Sequence, residues 1–389
     1  MKTIYMDNNA TTSVDERVLD AMLPHFSQEY GNPSSPYALA QTARAAVETA
    51  RAAAARAVGG AADSIVFTSG GSESDNMAVK GSVFARIGRP SHIMTTRIEH
   101  HAVFATCEYL ERRFGVEVTY LPVDRYGVVD PGDVERACRP DTALITVMFA
   151  NNEVGTIQPI GEIGRIARSR GIVFHTDAVQ AVGKLPIDVD SLCIDLLSMS
   201  AHKFYGPKGV GALFVRPGTP LDPLSHGGSH ERGLRPGTEN VAGIVGLGRA
   251  LELCLEDMGT ESARLAALTA RLEQGLIDRI PDVSVNGSAD RRLPGTLNAS
   301  FHFVEGESIV LELDLAGVAV STGSACTTES MAPSHVLTAM GVEPNRAQGS
   351  VRFSLGRYNT DSDVDRVLDL LPRIVSRLRA ISPLRARTR

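Results

Sequence analysis

The sequence predicts an α/β fold, with a mostly parallel sheet of seven strands covered by helices on both faces and a smaller α+β unit. Three observations predict it. From about residue 16 to 250, helical patterns alternate with short β-branched runs, which is the alternation a helix-covered parallel sheet requires. After about residue 255 the texture changes to one long helical pattern, short strands and further helices. The length of 389 residues allows a large core with an appended unit. We therefore expect a large unit over 16–255 and a small one over 256–389, with segment 1–15 packed on the latter.

In chain order, "LAQTARAAVETARAAAARAVGG" (39–60) reads as a long alanine-rich helix stopped by Gly59 and Gly60. The expected strands are "SIVFT" (64–68), "HIMTT" (92–96), "VEVTYL" (116–121), "ALITVMF" (143–149), "GIVFHT" (171–176), "DLLSMS" (195–200) and "VGALFV" (210–215). In the second unit "VSVNG", "LNASFHF" and "SVRFSL" read as strands, and a closing helix is expected from Asp361 to Ala380. Pro383 blocks its continuation into the basic tail.

A net charge of −6 with dispersed Lys and Arg offers no basic face for nucleic acid. No apolar run approaches the roughly 18 residues of a membrane span, and the start of the chain lacks a signal-peptide core. Cys107, Cys138, Cys193, Cys254 and Cys326 are odd in number and far apart, which argues against a disulfide framework and for a reducing cytoplasm. Four of them have apolar or helix-forming neighbours, as structural thiols do. Cys326, in "STGSACTTES" (321–330), has only small polar ones.

Ligands of open α/β sheets bind beyond the carboxyl ends of the strands, and residues just after four of the runs form a set. "SIVFT" leads into "SGGSESDN", where Gly70 and Gly71 let backbone approach a ligand closely. Ser72 with Asp75 resembles a capping box, and the helix start is a ready phosphate site. "GIVFHT" leads to Asp177, a carboxylate that needs a cation or several donors if it faces the core. "DLLSMS" leads to "AHKFYGPKGVG", whose Lys203 is placed for covalent chemistry with an aldehyde. "HIMTT" leads to "RIEHHAV", where His100 or His101 supplies a flat ring or an acid/base group. An aldehyde for a lysine, a phosphate for a helix start and a ring nitrogen for a carboxylate together describe pyridoxal phosphate.

With those residues in place the chain resembles the NifS-type, group I cysteine desulfurases, which are class V aminotransferase-like, fold type I pyridoxal phosphate enzymes. The resemblance spans almost the whole chain through "YMDNNATT", "GNPSS", "TSGGSESDN", "EHHAV", "NNEVGTIQPI", "HTDAVQAVGKLPIDV", "SAHKFYGPKGVGAL", "ERGLRPGTEN", "STGSACT" and "VRFSLGRYN". It implies that Lys203 carries the cofactor and moves protons, that His100 stacks on the ring, and that Asp177 partners the ring nitrogen. Gln180 and Asn152 match residues around the phenolic oxygen and the substrate, and Arg352 matches the clamp on the substrate carboxylate. Gly71, Ser72, Ser200 and His202 match the phosphate cradle, joined by Thr238 from the other subunit of a homodimer.

Cys326 matches the nucleophile: its thiolate attacks the sulfur of L-cysteine, leaving a persulfide on the enzyme and releasing alanine. An ordinary thiol with pKa of about 8.5 is only a few per cent thiolate at pH 7, so local activation is expected. The implied sulfur acceptor is an iron-sulfur scaffold, nitrogenase-specific or general, or another protein. No permanent metal site is implied, Cys326 being the group that would take a cluster in transit. A selenocysteine lyase, another β-lyase or an aminotransferase would share Lys203, Asp177 and the cradle; the Cys326 segment and the substrate residues distinguish them.

Overall fold

The computed structural model describes residues 3–89, 91–323 and 333–383. The seven expected runs become strands of one sheet: β1 (Ile65–Thr68), β2 (His92–Thr96), β3 (Glu117–Leu121), β4 (Thr142–Thr146), β5 (Val173–Asp177), β6 (Leu196–Ser200) and β7 (Gly211–Val215). Their order across the sheet is β1-β7-β6-β5-β4-β2-β3. β7 is antiparallel to both its neighbours, while the other pairs are parallel. The carboxyl ends of the remaining six strands therefore face the same way. The β4 ladder stops three residues short of the apolar run, yet Val147 and Phe149 still donate to the carbonyls of His175 and Asp177 at 3.2 and 2.8 Å.

The principal helices are α1 (Ala38–Val58), α2 (Gly71–Phe84), α3 (His101–Phe114), α4 (Ile160–Arg170), α5 (Val241–Arg279) and α6 (Asp361–Ile381). Alanines make α1 a good helix former, and Gly59 ends it in the left-handed region at φ +68°. Its small residues also bring it against α5: a Cβ added to Gly248 would lie 2.6 Å from Ala50 Cα.

A second, antiparallel sheet has the order β10-β9-β8, formed by β8 (Val283–Asn286), β9 (Thr296–Phe301) and β10 (Ser350–Ser354). α6 covers it with Val364, Val367, Leu371 and Val375, all buried, each contributing about 1.5–3 kcal/mol of apolar burial. α5 runs unbroken from one core to the other, burying Leu247 and Leu251 in the first and Leu272 and Leu276 in the second. The N-terminal segment is held at the second core, where Ile4–Tyr5 pairs in parallel with Val318–Ala319 and Asp7 bridges to Ser354. From there it crosses to the first, where Thr12 N donates to His202 O at 2.8 Å.

One buried ion pair fixes the "ERG" loop to the sheet. Arg51 of α1 donates to both carboxylate oxygens of Glu231 at 2.8 and 2.7 Å, and Phe67 N donates to Glu231 Oε2 at 2.8 Å. Their side chains are 8% and 3% exposed. Glu231→Ala would leave the buried Arg51 guanidinium with only the exposed Glu48 carboxylate at 3.2 Å and the Ile65 carbonyl at 2.8 Å, and we expect a loss of about 3 kcal/mol in urea unfolding; a change below about 1 kcal/mol would show the pair to be dispensable.

Candidate active site

At the end of β5, Asp177 is buried and its Oδ1 accepts from Val179 N at 2.9 Å. Burial raises its pKa, and His100 and Lys203 oppose that rise. His175, two residues earlier on the same strand, bonds Thr146 Oγ1 at 2.8 Å and Ser198 Oγ at 3.0 Å, with Asp75 Oδ1 at 3.7 Å. Burial drives His175 down to about 3 and lifts Asp75 well above the usual carboxylate range. His175 is therefore neutral at pH 7, and burial makes the Asp75 carboxyl hold its proton more tightly than an exposed one.

This placement corrects the capping box expected from Ser72 and Asp75. α2 starts at Gly71, two residues earlier than that reading, so Ser72 lies exposed in the first turn and Asp75 turns to the buried face. The carboxylate that reaches back is Glu73, whose Oε2 accepts from Ser69 N at 2.6 Å. No side chain caps the helix start itself, which leaves first-turn N–H groups for an anion. Gly71 must be glycine there, because a Cβ would lie 2.7 Å from Val179 Cγ2.

After β6 a single 3-10 turn, Ala201–Lys203, swings Lys203 toward the N-terminal segment. Its Nζ donates to Asn9 O at 2.6 Å and Ala10 O at 2.7 Å. Gln180 Nε2 donates to the same Asn9 carbonyl at 2.9 Å. His202 bonds Thr11 Oγ1 at 3.1 Å, and burial, then Lys203, drives it down to about 4.

His100 caps α3. Its Nδ1 accepts from Ala102 N at 3.1 Å, and burial lowers its pKa, so the neutral ring carries its proton on Nε2. Next to it, Glu99 is fully buried and pushed up to about 8, chiefly by burial. Oε1 accepts from Thr96 Oγ1 at 2.7 Å and Met148 N at 3.0 Å, whereas Oε2 has no partner among the described residues.

A carboxyl group with a raised folded pKa stabilises fully below its unfolded value of about 4.3, and that contribution is lost as pH rises toward 8. Glu99→Gln imitates the protonated form. The stability of the glutamine variant relative to wild type should therefore rise by about 3 kcal/mol between pH 5 and pH 7, read from urea unfolding of both proteins at each pH. A constant difference would mean that Glu99 is charged in the fold.

Arg352 on β10 donates to Asp7 Oδ1 at 2.6 Å and Asn152 O at 2.9 Å, while its Nε is buried without a partner among the described residues. Its backbone exchanges hydrogen bonds with Ser321, at 2.6 and 3.3 Å. Glu153 stands at both roots of the segment that follows: Gly323 packs on it and Ser334 Oγ donates to its Oε2 at 2.5 Å. Cys326 lies within 324–332, outside the described residues. Thr238 is exposed in the loop before α5 and makes no hydrogen bond to Ser72, Ser200 or His202.

The structure thus brings Asp177, His100, Lys203, Gln180, Asn152, Arg352 and the Gly71 helix start to one end of the sheet, where Asn9 links Lys203, Gln180 and Asn152. Asn9 itself was missed, with no role assigned within "YMDNNATT"; its Nδ2 also donates to Asn152 O at 3.2 Å and Thr296 Oγ1 at 2.9 Å. Asp7 and Glu153 were missed for the same reason, since their partners lie 345 and 181 residues away. The arrangement fits pyridoxal phosphate. The helix start and its obligatory glycine suit the phosphate, Lys203 Nζ the aldehyde, and Asp177 a protonated ring nitrogen, Oδ2 being without a hydrogen bond among the described residues.

The pattern of the aminotransferase class-V family matches residues 4–367. A cysteine desulfurase IscS from Dictyoglomus turgidum is 53% identical over 382 residues, 98% of this chain and 97% of that protein. Among solved structures, a NifS-like protein superposes with a TM-score of 0.91 at 41% identity, covering 97% of this chain and all of that one. SspA in complex with cysteine does so with 0.83 at 41% identity, covering 92% and 100%. The chain belongs to the class-V aminotransferase family, among its pyridoxal phosphate-dependent cysteine desulfurases of the NifS and IscS type.

Proposed function

We propose that the chain takes sulfur from L-cysteine, leaving a persulfide on Cys326 and releasing L-alanine, and that it hands the sulfur to an iron-sulfur scaffold or another acceptor protein. The observation that carries this reading is the proximity of the Lys203 site to Arg352, which is paired through its backbone with Ser321 at the root of the Cys326 segment. A relative solved with cysteine and others named for the desulfurase activity support the choice of substrate.

When bound, pyridoxal phosphate supplies an electron sink for charge developing on the substrate carbon. Lys203 holds it through Nζ and moves a proton at that atom. Asp177, buried at the end of β5, would keep the ring nitrogen of the bound group protonated, and neutral His100 would offer its Nε2–H as a donor. Arg352 takes the substrate carboxylate in a fork with its free N–H groups, including the buried Nε. The Cys326 thiolate then attacks the substrate sulfur. A sulfur–sulfur bond forms, the carbon–sulfur bond breaks, and the carbon takes up a proton to become alanine.

Elimination among the described cysteines supports Cys326 as the nucleophile. Cys107, Cys193 and Cys254 are buried, and burial raises the thiols of Cys107 and Cys254, the latter to about 11; Cys138 is partly buried and also raised by burial. Such thiols do not supply a thiolate at pH 7. The reading includes a homodimer, with Thr238 completing the partner's phosphate cradle. Exposed Leu19, Leu23, Phe26, Tyr30 and Tyr37, within one N-terminal stretch, support a buried interface there. It also includes the division into units 16–255 and 256–389 and a reducing, cytoplasmic location, for which the unpaired described cysteines speak. Among the described residues no helix is long and apolar enough to cross a membrane.

Incubation with L-cysteine tests the reaction. Alanine and reducible sulfur in equal amounts agree with it; pyruvate and ammonia in place of alanine would identify an elimination lyase instead.

A further inference from the structure

Lys184 lies one turn beyond Gln180 and has no role in the reading above. Its Nζ donates to Gln180 Oε1 at 3.0 Å, and no carboxylate is within salt-bridge distance among the described residues. Burial, with Lys203 as the next contributor, brings it down to about 7. A cation left without an anion in such a place is costly. The chain tolerates it two groups away from Lys203: Lys184 Nζ binds Gln180, and Gln180 Nε2 binds the Asn9 carbonyl that also accepts from Lys203.

An amide side chain has one accepting end and one donating end, and a half-turn exchanges them. In its charged form, which a pH below about 7 favours, the Lys184 ammonium only donates, and its 3.0 Å bond to Gln180 Oε1 then selects one of the two orientations. We propose that Lys184 is a positioning residue that locks the Gln180 amide with its NH2 end toward Asn9 and Lys203, prepared to donate to an oxygen of bound pyridoxal phosphate. In the reverse orientation the Gln180 oxygen would oppose the Asn9 carbonyl, acceptor against acceptor, and would do the same to an anionic oxygen on the cofactor. This inference rests on the reading that Lys203 and Gln180 hold the cofactor.

The test compares cofactor dissociation constants, from the absorbance of the bound pyridoxal phosphate, in a double-mutant cycle. Lys184→Met should weaken binding about tenfold, the usual effect of losing one hydrogen bond to a charged group, and shift the absorption band. Lys184→Arg should restore binding to within about threefold. In a Gln180→Leu background the Lys184 substitution should change binding less than about twofold, because nothing remains to be oriented. Lys184→Leu serves as a second uncharged variant, and circular dichroism monitors the fold of each. Equal effects of Lys184→Met in both backgrounds, or no effect in either, would overturn the positioning role. Borohydride reduction of the wild-type holoenzyme separates this from failure of the site itself: label on a lysine other than Lys203 overturns the underlying reading.

Discussion

Cys326→Ser ends persulfide formation while leaving the fold and the bound cofactor in place. The hydroxyl keeps the size and polarity that the small neighbours in "STGSACTTES" accommodate, but its oxygen is neither ionised at pH 7 nor nucleophilic toward divalent sulfur. On the proposed reading, binding of L-cysteine and loss of its α-proton depend on Arg352, Lys203 and His100, which this change does not touch. The expected result is a yellow protein that still changes its spectrum on adding L-cysteine, with alanine formation down at least about a thousandfold, as for loss of other nucleophiles. Sulfide production at wild-type rate would show that sulfur leaves without the thiol.

Lys203→Ala removes more. The Lys203 amine sits against two carbonyls, Asn9 O and Ala10 O, beyond the carboxyl ends of β5 and β6, so on the proposed reading its loss takes away both the attachment point and the group that carries the proton. We expect turnover to fall by about ten-thousandfold, the scale of losing a group that serves more than one step. Borohydride should no longer fix the cofactor covalently. Pyridoxal phosphate should still bind, because the helix start at Gly71 and Asp177 are unchanged. A variant that retains a tenth of the activity would place the essential amine elsewhere, and Lys184 would be the first residue to examine.

The sheet was legible because its signal is local. Most of the buried strands are β-branched runs, and β6 a leucine-rich one, bounded by polar or glycine punctuation, and Gly59 and Gly115 end their helices at φ +68° and +66° as the sequence rule anticipates. The ends of those strands named Asp177 and Lys203 and the Gly71 helix start directly. The sequence left His100 and His101 as alternatives, which the resemblance resolved to His100; in the structure His100 caps α3 and His101 packs its ring 4.9 Å from His335. What was misread turned on register or distance. A two-residue shift in the start of α2 moved Asp75 from a cap to the core beside His175. α5 is continuous across the change of texture near residue 255, since what changes there is the core it serves, not the helix. Asn9, Asp7, Glu153 and Lys184 act through partners brought near only by the tertiary fold, apart from the local Lys184–Gln180 bond, whose meaning depends on Asn9.

The central claim is that sulfur from L-cysteine comes to rest on Cys326. Wild-type holoenzyme is mixed with L-cysteine, the thiols are alkylated, and the peptides are weighed. We predict one added sulfur atom on the peptide that contains Cys326, appearing with alanine and absent from Cys326→Ser. Added sulfur on the peptide of Cys107, Cys138, Cys193 or Cys254, or alanine formed with no sulfur on any cysteine, would contradict the claim.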